Sequence, residues 1–144
     1  MERKEIVVDA SVVVKWFVEE EYSREARLLR DAYVDGLIDI TAPSLLPYEV
    51  LNALKYSGAF GEEELEEVAK TLEDFQFTLL NLQGELAAKS IEIAMRKGLT
   101  IYDASYLALA LILGTMLYTA DEKLIRKAER LDVAKHIAQF KINP

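Results

Sequence analysis

The sequence predicts an α/β fold in three layers, α/β/α, with a mostly parallel sheet of about five strands covered by helices on both faces. Three observations predict it. Short β-branched runs alternate with longer segments of helical period, the pattern of right-handed β-α-β crossovers. Gly36, Gly58 and Gly98 each follow a helical segment as stop signals. The 144 residues, 51% hydrophobic and 29% charged, suit a single domain over residues 1–144, and a chain of this size buries roughly 68–70% of its unfolded surface without disulfide or metal staples.

The elements follow in order. Residues 5–9 (EIVVD) form a first strand, and residues 22–35 a helix through Ala26, Leu29, Ala32 and Tyr33. Residues 38–42 read as a second strand closed by Pro43, after which Ser44 caps a helix reaching Tyr56 whose first turn tolerates Pro47. Leu65, Val68, Ala69, Leu72 and Phe75 make an apolar helical stripe with glutamates opposite, before a strand at 77–82 and a helix at 85–97. Residues 103–113 form a helix apolar nearly all round, hence buried; 115–119 a strand; 121–131 a helix; and 137–140 a last short strand. In such a sheet, ligands bind outside the carboxyl ends of the strands.

Composition excludes several chemistries. No cysteine is present, so disulfides, thiolate nucleophiles and thiolate-bound metals are absent, and a reducing interior is expected. Residues 1–5 carry charges directly before the first apolar run instead of a leader, and the apolar stretch 106–118 is too short to span a bilayer, so the expected location is the cytoplasm with no membrane partner. The net charge of −8 and a pI near 4.8 rule out nucleic-acid binding by a global positive field but leave room for a local basic lip. The first strand runs into Asp9-Ala10-Ser11 where a nucleotide-binding fold would place a glycine loop. The one histidine, His136, has neither a second histidine nor a cysteine for a zinc site, and reads as structural.

Four carboxylates remain in unusual places: Asp9 ending the first strand, Glu49 within LLPYEVLNAL, Asp103 opening the buried helix, and Asp121 just after the 115–119 strand. Singly, each aspartate is well explained as a helix N-cap, and Glu49 as a solvent-facing side chain beside Asn52 and Tyr56. Jointly the pattern is harder to explain by capping. Asp9 and Asp121 follow strands of one parallel sheet and so emerge at the same edge, where Asp103 and Glu49 can join them. Carboxylates gathered there repel unless a divalent cation compensates, and hard oxygen donors select Mg²⁺ or Mn²⁺. Sites of this kind hydrolyse phosphodiesters.

The segments DASVVVKW (from Asp9), APSLLPYEVLNAL (from Ala42), LTIYDASYLALA (from Leu99) and YTADEKL (from Tyr118) resemble, in order and over essentially the whole chain, the motifs of PIN-domain proteins, especially VapC-like ribonuclease toxins. The resemblance implies a sheet order of 3-2-1-4-5, Mg²⁺ or Mn²⁺ held by Asp9, Asp103 and Asp121 with Glu49 binding a second ion or orienting water, and cleavage of RNA. It further implies a homodimer and a cognate antitoxin whose C-terminal segment blocks the acidic pocket. Ser11 and Thr119 match the family's small hydroxyl residues beside the first and last acids; their alternative role is capping.

Two other readings stay open. A haloacid-dehalogenase-like phosphatase also places an aspartate after its first strand, but needs a second acid where Ser11 stands. A PIN-like scaffold without catalysis would act through protein or RNA contacts. For substrate, Lys123, Arg126, Lys127 and Arg130 recur at i, i+3, i+4 and i+7 beside Asp121, either as an RNA-backbone stripe or as an ordinary solvated face supported by a Glu122–Arg126 pair. Lys15 reads as a snorkelling lysine before a phosphate contact, and residues 19–21 and 62–67 as solvated acidic runs.

Overall fold

The computed structural model describes residues 3–142. Strand β1 is Lys4–Val8, followed by a one-turn helix α1 (Ala10–Val13) that continues as a 3₁₀ turn over Val14–Trp16. Helix α2 (Ser23–Val34) leads to β2 (Ile38–Pro43), then α3 (Leu46–Ser57), α4 (Glu62–Phe75), β3 (Thr78–Leu80), α5 (Gly84–Lys97) and α6 (Ile101–Leu113). Strand β4 (Leu117–Thr119), helix α7 (Glu122–Lys127), a 3₁₀ turn at Glu129–Leu131, β5 (Ala134–His136) and a 3₁₀ turn at Ile137–Gln139 complete it.

The five strands form one sheet in the order β3-β2-β1-β4-β5, every pair parallel. The expected α/β/α class and the 3-2-1-4-5 order are therefore found. Ile6, Val7 and Val8 are consecutive and all buried, which requires cover on both faces because successive strand residues point to opposite sides. Helix α6 supplies much of that cover: every residue from Ala104 to Ala110 is buried, as its all-round apolarity predicts. A second cluster pins α4: Trp16, Tyr33, Phe75 and Phe77 pack ring to ring, and the Tyr33 hydroxyl donates to the Phe75 carbonyl.

Several boundaries differ from the sequence reading. The last strand lies at Ala134–His136, paired with β4 from Leu117↔Ala134 to Thr119↔His136, not at 137–140. Buried Ile137 and Phe140 are three apart, a turn period and not a strand period, and the His136 Nδ1 accepts the Ala138 N–H to start that turn. His136, ring edge against Tyr22, is structural as expected.

The 121–131 helix stops at Lys127, because the chain breaks at Ala128 and turns back at Asp132 (φ 53) to reach β5. Ser44 does not cap α3, whose N-cap is Leu45 without a side-chain bond. Among the described residues no helix is long and apolar enough to cross a membrane.

Candidate active site

Asp9 leaves the end of β1 and caps α1. Its carboxylate is 7% exposed and fully engaged: Oδ1 accepts from the Ser11 N–H (3.1 Å) and the Ser11 hydroxyl (2.6 Å), and Oδ2 from the Thr119 hydroxyl (2.6 Å). Both hydroxyl protons are thus used on Asp9, so the 3.2 Å approach of Ser11 Oγ to Thr119 Oγ1 is a contact imposed by the shared acceptor. The two oxygens in turn accept backbone N–H groups, Ala120 onto Ser11 (2.8 Å) and Asp121 onto Thr119 (3.0 Å). Ser11 and Thr119 therefore cap no helix. They clasp the end of β4 to the end of β1.

Asp121 is a true N-cap of α7, its Oδ1 accepting from Lys123 N–H and Leu124 N–H at 3.0 and 3.1 Å. Asp103 is not a cap. Thr100 holds that position, its hydroxyl oxygen accepting the Asp103 N–H, and α6 starts two residues before the acid, leaving Asp103 half-buried in the first turn. Glu49, half-buried in the first turn of α3, is not solvent-facing: the Tyr106 hydroxyl donates to its Oε1 at 2.7 Å. Tyr106 was missed from sequence. The available signal was a phenol in a fully buried helix, where a hydroxyl must find a partner, three residues from Asp103 and so on its face.

The electrostatics link the four acids. Burial raises the Asp9 carboxyl to about 6, against the Ser11 and Thr119 hydroxyls, with repulsion from Asp121 and Glu49 adding to the rise. Burial also raises Glu49, opposed by the Tyr106 hydroxyl and increased by Asp103. Asp103 is raised by burial and then by Asp121, with Lys127 opposing. Repulsion runs Asp9–Asp121–Asp103–Glu49–Asp9, a closed ring of like charge.

The carboxylates nonetheless stand apart: among the described residues, no three Asp, Glu or His side chains are close enough together to hold one ion as they stand. The donor set is all-oxygen, which suits a hard divalent cation.

The basic stripe is corrected. Lys123, Arg126 and Lys127 belong to α7 and are exposed, but Arg130 lies beyond the break, in the 3₁₀ turn, and loses the helical phase. Lys127 donates to the Gly98 carbonyl at 3.0 Å and is the stripe residue whose charge reaches Asp103. Lys15 is buried and paired with Glu20 at 3.0 Å, while Glu19 pairs with Arg27, so part of the 19–21 run is ion-paired, not simply solvated.

The fold and the ring together define an α/β domain whose site is built from carboxylates at the C-terminal edge of a parallel sheet. The profile of the PIN domain matches residues 6–130. Ribonuclease VapC3 of Pyrobaculum aerophilum is 34% identical over 127 residues, spanning 85% of this chain and 93% of that one. The crystal structure of PAE2754 from Pyrobaculum aerophilum superposes with a TM-score of 0.63 at 25% identity, covering 95% of this chain and 93% of that chain. A toxin-antitoxin complex from Klebsiella pneumoniae gives 0.68 at 17% identity, covering 95% and 99%. This chain belongs to the PIN domain family.

Proposed function

We propose that the chain is a Mg²⁺- or Mn²⁺-dependent endoribonuclease acting in the cytoplasm, the toxin of a toxin-antitoxin pair. The closed ring of four acids carries the reading, since carboxylates gathered at one sheet edge repel, and a divalent cation compensates that repulsion. The likeness to Ribonuclease VapC3 supports ribonuclease over other phosphodiesterases, and the likeness to a toxin-antitoxin complex supports a cognate antitoxin, whose basic side chain the acids would attract. The expected homodimer is measured by sedimentation.

Asp9, Asp103 and Asp121 would hold the ion, with Glu49 on a second ion or on the water. The ion supplies an activated water and neutralises charge on the phosphate. The protein's part is positional. The Ser11–Thr119 clasp fixes Asp9 in one rotamer, and the α7 N-terminus orients Asp121 through two N–H groups. Lys123 and Arg126, exposed on the helix that Asp121 opens, would hold RNA backbone; Lys127 would do so closer to the acids, and Arg130 only from beyond the break.

The test is cleavage of single-stranded RNA by the purified chain with Mn²⁺. Activity should vanish with chelator and in both Asp9→Asn and Asp103→Asn. Full activity in both variants would sink the assignment, and a chain that binds RNA without cutting it would be the non-catalytic scaffold. The phosphatase reading loses its ground, because the position where it needs an acid holds the Ser11 hydroxyl, bonded to Asp9.

A further inference from the structure

Tyr106 has no part in the reading above, yet it sits at the centre of the acids. It is 1% exposed on α6, where its neighbours Ala104, Leu107, Ala108, Leu109 and Ala110 are buried and apolar. A leucine would fill the core there without a polar atom. A phenol instead brings a hydroxyl to Glu49, 57 residues away in the chain, and donates to Oε1 at 2.7 Å. No other hydrogen bond reaches the Glu49 carboxylate among the described residues, so one oxygen is tethered and Oε2 is left.

We propose that Tyr106 is a positioning residue, which holds the Glu49 carboxylate so that it acts through Oε2. The inference rests on the reading of the acids as a divalent-ion site and adds a residue to it. A glutamate has three rotatable side-chain bonds, and a half-buried one that wanders must be ordered when an ion arrives. A tether from the rigid core removes that ordering from the binding step, which is the advantage of preorganisation. It also sets the orientation in which Glu49 takes part: Oε1 accepts the phenol proton, and Oε2, with no hydrogen bond among the described residues, is the freer oxygen. A purely structural hydroxyl would satisfy a desolvated carboxylate and stabilise the fold, with no effect on ion affinity.

The experiment compares the metal-stripped full chain as wild type, Tyr106→Phe, Glu49→Gln and the double variant, by Mn²⁺ calorimetry and by kcat and KM on single-stranded RNA. Tyr106→Phe keeps the ring and its packing. It should weaken Mn²⁺ binding about tenfold and lower kcat, with KM for RNA within about twofold, and in the Glu49→Gln background it should change neither quantity. The proposal is overturned if Tyr106→Phe leaves Mn²⁺ affinity unchanged, if the change is equal in both backgrounds, or if the wild type binds no Mn²⁺. A wild type that binds Mn²⁺ but cuts no RNA overturns the ribonuclease reading alone, and the Mn²⁺ comparison still decides this one. Should Tyr106→Phe fail to fold, ¹³Cζ-tyrosine NMR of wild type and Glu49→Gln replaces it. A Tyr106 shift on Mg²⁺ addition that is lost in Glu49→Gln supports the tether; no shift, or the same shift in both, overturns it.

Discussion

A carboxylate as enclosed as Asp9 is held ionised at neutral pH against its surroundings, and the sign of that effect is measurable. Its folded value of about 6 lies above the unfolded 3.8, so the folded state binds the proton more tightly. Its contribution favours folding below pH 4 and is lost as pH rises through about 6. At roughly 1.4 kcal/mol for each pH unit between the two values, the loss is about 3 kcal/mol at most. Denaturant unfolding of metal-free protein should show this decline between pH 4 and 7, and Asp9→Asn should flatten it. At pH 7 the same variant should melt a few degrees above the wild type while losing activity; a lower melting temperature would show that the hydroxyl clasp outweighs the cost of burying the charge. Thr119→Val tests that clasp, and should cost about 1–3 kcal/mol by leaving a buried oxygen of Asp9 without its donor. The four acids were legible in the sequence because they stand where strands end or helices begin. Tyr106 was not, since periodicity reports that a position is buried and is silent on where a hydroxyl points.

At the scale of elements, the four acids stand at the starts of α1, α3, α6 and α7. Strand order and most helices follow from period and punctuation, but the ends do not. The break at Ala128 and the turn at Ile137–Gln139 are set by the need to return to the edge of β4, a tertiary demand that no local propensity expresses. α1 is the helical segment that Asp9, read as an N-cap, implied: the acid caps Ala10–Val13 into one turn although Val12 and Val13 are β-branched. The break also narrows the substrate prediction to α7 itself. Lys123→Glu with Arg126→Glu should weaken RNA binding and flatten its salt dependence by about two charges, leaving folding intact, as measured by fluorescence titration over a salt series. The same pair of changes at Arg130 and Lys135, beyond α7, should have a smaller effect.

For the whole molecule, a divalent ion held by the acid ring would make ion binding and stability one quantity. An ion that binds the folded state alone stabilises by about 2.7 kcal/mol at a hundredfold excess over its dissociation constant, so Mn²⁺ should raise the melting temperature of wild type. Asp9→Asn should lose most of that shift in differential scanning fluorimetry, and equal shifts in both proteins would place the ion elsewhere. The −8 net charge then has a local origin in part, and partner attraction should weaken as salt rises.

The clasp between Asp9 and Thr119 also sets a clock. It joins residues 110 apart, and Asp121 lies two further on. A ribosome adding about 5–20 residues each second needs roughly 6–22 s between the two aspartates. Throughout that interval the nascent chain already carries Asp9, Glu49 and then Asp103 but lacks β4, and Asp9 has no Thr119 hydroxyl to hold its second oxygen. If the chain is the toxin proposed above, its site is incomplete until synthesis is almost finished, and a fragment ending before residue 119 should be harmless on expression however much of it accumulates.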